Sequence, residues 1–221
     1  MKILIAAVTA GVTIVVTAMI IRSAARLSSS REASPSVTLH TLDEVSHWLE
    51  AEHRLAVRHY STFDFGREKD ESNISVVVSE RRAHRILPDL RDYLGPGLVA
   101  FIGTTRWLGH EHHSGVELVV APGESQFDML RAARSDAVNF GIETEELIER
   151  LQGLHERYNF AIFHAETDTI EFTFESLPKD VRPLAEEIYE LCPDIVDQGC
   201  GSVEALAKGI RDTRMVLLWW D

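Results

Sequence analysis

The first thing the chain shows is a stretch with no polar periodicity at all. Residues 3–21 read ILIAAVTAGVTIVVTAMII, without a charge. At about 1.5 Å rise per residue, a helix of this run comes close to the ~30 Å of a bilayer's hydrocarbon core. It would satisfy its own backbone hydrogen bonds there. The run predicts a transmembrane anchor over residues 1–22, followed by a flexible, Ser/Pro-rich tether over residues 23–36. A cleaved export signal is the alternative, with Val16, Thr17 and Ala18 as its small-residue cleavage site, although such signals usually have an apolar part of about 7–15 residues. Arg22, Arg26 and Arg31 follow the run and Lys2 precedes it. The excess of Lys and Arg on the cytoplasmic side then places the following domain in the cytoplasm of a single-pass membrane protein. A cleaved signal would leave an exported domain instead.

Beyond the tether, periods of about 3.6 and 2 alternate. Thr41-Leu42-Asp43-Glu44 is a capping box, with Val45, Trp48 and Leu49 as the apolar face of the helix it starts. Residues 55–61 and 74–78 read as strands, and residues 80–94 as a helix in which Pro88 marks a kink or boundary. Gly95-Pro96-Gly97 breaks the chain. Residues 98–103 and 116–120 are short apolar strands. Residues 125–139 and 143–158 read as helices, the second with Leu147, Ile148, Leu151, Leu154 and Tyr158 on one face. Residues 160–165 and 169–174 form a strand pair around Asp168, with Ile170, Phe172 and Phe174 on one side. Helices over 180–191 and 202–211, the latter capped by Ser202, precede a last apolar strand over 215–220. From residue 116 onward the order contains β-α-β-β-α-β. It predicts an α+β fold: a ferredoxin-like sandwich with a mostly antiparallel sheet over residues 97–221, behind an α/β extension over residues 37–96.

Charge narrows the partners. The chain carries −13. Residues 1–36 hold Lys2, Arg22, Arg26 and Arg31 against Glu32, a net +3, which leaves −16 on the rest. Such a surface repels phosphate backbones, so nucleic acid is not an expected partner, whereas a basic protein surface or a cation is favoured. The two cysteines, Cys192 and Cys200, make no disulfide framework. They read as one bridge or as two free thiols.

The C-terminal half also resembles a known family. Leu191-Cys192-Pro193-Asp194-Ile195-Val196-Asp197-Gln198-Gly199 is similar to a C-P-D-x-x-x-Q-G segment, and Leu217-Leu218-Trp219-Trp220-Asp221 to a closing W-W-D. Residues 128–139 and 177–180 resemble the same bacterial family, catalogued as domain of unknown function 4253. The resemblance covers roughly residues 97–221 and implies a shared fold. It brings no activity, ligand or catalytic residue with it.

Several groups of residues are candidates for chemistry or binding. His110, Glu111, His112 and His113 are the densest set of metal-ligand types, on a loop between two strands; imidazoles suit zinc, nickel or copper. Their spacing matches no two-histidine helical motif, and an exposed polar loop is the plainer reading. Asp194 and Asp197, beside Gln198, suit acid–base work or cation binding, or simply a turn. Cys192 is a nucleophile only if a histidine such as His164 lies beside it. Trp107, Trp219, Trp220 and Asp221 are candidate anchors for a partner. No Gly-rich phosphate loop and no G-x-S-x-G is present. The expectation is a non-enzymatic protein- or ligand-binding module without a cofactor, held at the membrane by residues 3–21. A metal-dependent hydrolase using the 110–113 loop with Asp194 or Asp197 is the alternative.

Overall fold

The structure, a computed structural model, describes residues 37–61, 69–105 and 115–221. Its strands are β1 (Arg58–Ser61), β2 (Lys69–Val78), β3 (Leu98–Ile102), β4 (Val116–Pro122), β5 (Phe160–Ala165), β6 (Thr169–Phe174) and β7 (Met215–Trp219). They form one seven-stranded mixed sheet in the order β1-β2-β4-β3-β5-β6-β7. Neighbours are antiparallel except β3 and β5, which are parallel. The helices are α1 (Leu42–His53), α2 (Glu80–Tyr93), α3 (Asp128–Ala133), α4 (Thr144–Tyr158), α5 (Arg182–Leu191) and α6 (Val203–Thr213).

Side-chain alternation divides the core into two layers. Ile74, Val76, Val78, Ala100, Ile102, Val116, Leu118 and Val120 face one way, under Val45 and Leu49 of α1 and Ala83, Ile86, Leu87 and Leu90 of α2. Val99, Phe101, Val119 and Ala121 face the other way. They join Phe160, Ile162, Ile170, Phe172, Phe174, Val216 and Leu218 under α3 to α6. On the α1/α2 side of β5–β7 the cover runs out: Ala161 and Leu217 are exposed, and Phe163, Thr173 and Met215 are half-buried.

The helix ends follow local chemistry. Thr41 and Glu44 close the capping box of α1, and Ser202 caps α6 through the Ala205 N–H. Pro88 lies inside α2, which continues past it. The helix expected over 125–139 is reduced to α3, because Arg134 turns left-handed (φ 55°) and ends it. A single 3₁₀ turn, Val138–Phe140, is all that follows before α4.

Two expectations are corrected. The anchor over residues 1–22, with its span over 3–21, and the tether over 23–36 lie outside the described residues. Among the described residues no helix is long and apolar enough to cross a membrane. The longest, α4, has 15 residues and carries Glu145, Glu146, Arg150 and Arg157, whereas a span needs about 20 mostly apolar ones. A single-pass membrane protein with a cytoplasmic C-terminal domain is therefore not supported. The second correction concerns topology. A ferredoxin-like sandwich would close the β-α-β-β-α-β run on itself, but β3, which precedes that run, stands between its first two strands, β4 and β5. Strands from both sides of residue 97 share one sheet.

Candidate functional site

The C-terminal motifs pack against each other. The chain leaves α5 at Cys192, turns at Pro193 and Asp194, and makes one wide helical turn over Ile195–Cys200. Asp194 is buried and its carboxylate is fully used. Oδ1 accepts from Gln198 Nε2 at 2.9 Å, and Oδ2 from the Asp221 N–H at 3.0 Å. The Cys192 thiol donates to the Trp219 carbonyl at 3.0 Å, and the Trp220 indole N–H to the Leu191 carbonyl at 3.3 Å. Gly199 lies so close to the Trp219 ring that a Cβ there would sit 2.7 Å from Cη2. The Pro-Asp turn thus holds down the end of β7. Residues 117–221 match the family model described as Domain of unknown function (DUF4253). The DUF4253 segment begins inside β4, not at Gly97, so α1, β1, β2, α2 and β3 fall outside the match. No curated protein and no solved structure matches the chain.

Within the DUF4253 segment the two tryptophans separate as strand alternation requires. Trp220 is 3% exposed and belongs to the core. Trp219 is half-buried and borders an apolar groove of about 230 Å³ between β7, α6 and the wide turn, lined by Ile195, Cys200, Leu206, Gly209, Leu217 and Trp219 among others. Asp197, exposed, accepts from the Tyr189 hydroxyl at 3.1 Å. Gln198 and Asp221 are exposed at the same corner.

β7 is an outer strand of the sheet, and its edge away from β6, unpaired among the described residues, borders this groove. Phe174 N–H donates to Arg214 O at 2.8 Å, and Trp220 N–H to Asp168 O at 3.1 Å. Even-numbered residues here therefore aim their main-chain groups at β6, while Met215, Leu217 and Trp219 aim theirs outward. Thr213 Oγ1 accepts from Met215 N–H at 3.1 Å, and Cys192 occupies Trp219 O. The N–H and C=O of Leu217 meet no protein group among the described residues. Its side chain is 39% exposed.

A polar centre lies at the C-terminal ends of the parallel pair. His164 Nε2–H donates to Glu166 Oε1 at 2.8 Å and Nδ1–H to Glu171 Oε1 at 2.7 Å. Thr105 also donates to Glu166 Oε1, and the Ser135 hydroxyl to the Glu166 carbonyl at 2.5 Å. Burial works against the imidazolium, but the two carboxylates outweigh it and hold His164 up at about 9. The Glu166 carboxyl, against the same burial, stays below the usual carboxylate range. His164 is thus a buried cation with both nitrogens engaged, which suits a clamp and leaves no free base.

Among the described residues the chemical candidates do not assemble. Burial pushes the Cys192 thiol up to about 11, and its hydrogen goes to Trp219 while His164 is held by two glutamates, so no Cys–His dyad forms. Cys192 and Cys200 are both free thiols. His110, His112, His113 and Trp107 lie outside the described residues. Among the described residues no three His, Cys, Asp or Glu side chains are grouped to hold a metal.

Sequence reasoning missed the Glu166–His164–Glu171 clamp and the β7 edge. The first had a signal: four ionisable residues, His164, Glu166, Asp168 and Glu171, within the strand pair FHAETDTIEF. The second had none, because an outer strand and an inner one read alike.

Proposed function

We propose that this chain is a non-enzymatic protein-interaction module whose binding surface is the free edge of β7 with the apolar groove beside it. The observation that supports the reading is Leu217: an exposed leucine, on a strand edge, with its main-chain donor and acceptor both turned outward. An extended segment from a partner gains main-chain hydrogen bonds there and specificity from side chains entering the groove. Trp219 is the aromatic anchor at one end. Trp220 is excluded by burial, and Gln198 and Asp221 serve as rim contacts. No observation favours the hydrolase, since Asp194 is spent on Gln198 and the Asp221 N–H. The test is a pull-down of the full-length chain beside its Leu217→Lys variant, read by mass spectrometry. A protein, including untagged copies of the chain itself, held by the first and lost from the second is the expected outcome. Identical recoveries from both would sink the reading.

A further inference from the structure

We infer that the partner docking on β7 is a second copy of this chain, paired antiparallel about a two-fold axis through Leu217 so that two sheets become one. The inference rests on the reading of β7 as the binding edge and adds the identity of the occupant.

Three observations carry it. The first is main-chain parity. With Met215, Leu217 and Trp219 aimed outward, an antiparallel copy centred on Leu217 makes that residue a hydrogen-bonded pair with its own equivalent, each N–H donating to the other's C=O. Trp219 N–H then meets the second lone pair of Met215 O in the other copy, the first taking the Thr213 hydroxyl at 3.4 Å, and the reverse follows by symmetry. The contact is isologous: one patch completes itself.

The second is the order of charge along the edge. Arg214, exposed, stands before β7 and donates to the Glu175 carbonyl at 3.1 Å. Asp221 stands after β7 and is exposed. Antiparallel pairing about Leu217 puts Thr213 and Arg214 of one copy against Asp221 and Trp220 of the other. A parallel arrangement would put Arg214 against Arg214 and Asp221 against Asp221. Opposite charges thus come within one residue of each other at each end of the two-fold pairing and like charges meet in the parallel one, which favours the two-fold arrangement even though the domain as a whole is acidic.

The third is the side chains. Met215, Leu217 and Trp219 form an apolar row, so Leu217 meets Leu217 and Met215 meets Trp219, a thioether against an indole. On the α6 side the rim is made by Ala205, Gly209 and Thr213, one helical turn apart. A Cβ built at Gly209 meets nothing within 4 Å. A low rim of small residues lets the second copy's α6 come alongside.

The test uses the purified full-length chain. Sedimentation equilibrium should give a dimer, and Leu217→Lys should weaken self-association by ~100-fold or more by placing two charges on the axis. Leu217→Cys on a Cys200→Ser background should crosslink to itself with a short bismaleimide, because a hydrogen-bonded antiparallel pair has Cα atoms about 5.5 Å apart. His59→Cys, on the opposite edge, should not crosslink. Should Leu217→Lys fail to fold, as read by circular dichroism, charge exchange decides. Arg214→Glu should weaken the dimer, and adding Asp221→Arg should restore it. A wild-type monomer at about 50 µM, far above the nanomolar–micromolar range of specific complexes, would overturn the inference. So would a dimer untouched by Leu217→Lys, or a crosslink at His59 only. If the chain is a monomer but Leu217→Lys still loses a different protein in the pull-down, self-docking falls and the interaction module stands. If nothing is lost there either, both fall.

Discussion

The two halves of the sheet meet where β3 runs parallel to β5, and they are finished differently. In the half made of β1, β2, β4 and β3, the α1/α2 layer covers one face, α3 packs on β3 and β4 from the other, and the outer strand is guarded. β1 has only four residues, exposes His59 and carries Arg58, and its ladder to β2 is interrupted between His59 and Tyr60. Short length, charge and a bulge are the usual means of keeping an edge from pairing. In the half made of β5, β6 and β7, α3 to α6 cover one face, and on the other, among the described residues, a helix reaches only β5, where Phe163 lies against His84 of α2. The outer strand, Met-Val-Leu-Leu-Trp, is apolar and unbulged against β6. The difference shows that an edge is made inert by its side chains and backbone irregularities, and that position in the sheet does not do it. The unguarded half is where a contact is to be expected.

The junction between the halves is thin in main-chain pairing. Only Ile102 and His164 are matched in register. Side chains do the rest. Arg91, from α2, donates to the carbonyls of Ala100 on β3 at 2.9 and 2.7 Å and of Ile162 on β5 at 2.8 Å. From the other layer, Gln126 Oε1 accepts from Ile162 N–H at 2.8 Å and Nε2 donates to Phe160 O at 3.1 Å.

Breaking this junction should have the largest effect. His164→Leu leaves the Glu166 and Glu171 carboxylates without their cation and should cost about 3–5 kcal/mol in denaturant unfolding. A loss below about 1 kcal/mol would show that the two ion pairs of His164 do not hold the β5–β6 pair at the junction. The same group sets a pH dependence. A histidine lifted from 6.5 to about 9 in the fold contributes stability that is complete below 6.5 and is lost as pH rises through 9. Glu166, lowered from 4.5, contributes above that value and loses it as pH falls through its folded one. Stability should therefore be highest between roughly pH 5 and 7, and the alkaline decline should vanish in His164→Leu.

Arg91→Leu comes next. It removes the donors to Ala100 and Ile162 and should cost about 2–3 kcal/mol. Hydrogen exchange would sharpen the comparison: amides of β5–β7 should lose more protection than those of β2 and β4. Equal losses in both halves would mean that they unfold as one unit. Asp194→Ala is expected to cost about 1–2 kcal/mol and to raise exchange at the end of β7 without changing β1. The smallest effect, about 1 kcal/mol, belongs to Gly199→Ala. Its new Cβ pushes on the Trp219 ring, so a shift in tryptophan emission with little change in midpoint should accompany it.

Much of this architecture was legible residue by residue. The capping box at Thr41, the cap at Ser202, the apolar face of α4 and the alternation of Ile170, Phe172 and Phe174 are properties of neighbours in sequence, and local geometry reads them directly. The packing of the Cys-Pro-Asp turn against Trp219 and Asp221 could be suspected only from the family resemblance, and its detail came from contacts 27 residues apart. The shortened α3 was not legible, because the chain after the left-handed Arg134 is tied through Ser135 to Glu166 in the distant β5–β6 turn.

The sequence by itself determined most of the helices and strands, though neither the end of α3 nor the start of β2, and it determined which side of each is apolar and that residues 37–221 are strongly acidic. Those facts follow from periods of 3.6 and 2 and from counting charges. Tertiary structure alone decided that β3 enters between β4 and β5, that His164 is a cation between two glutamates, and that β7 lies at an edge. Each depends on which distant strands become neighbours, and that choice maximises buried apolar area and minimises unpaired buried polar groups over the whole molecule, a quantity no local window contains.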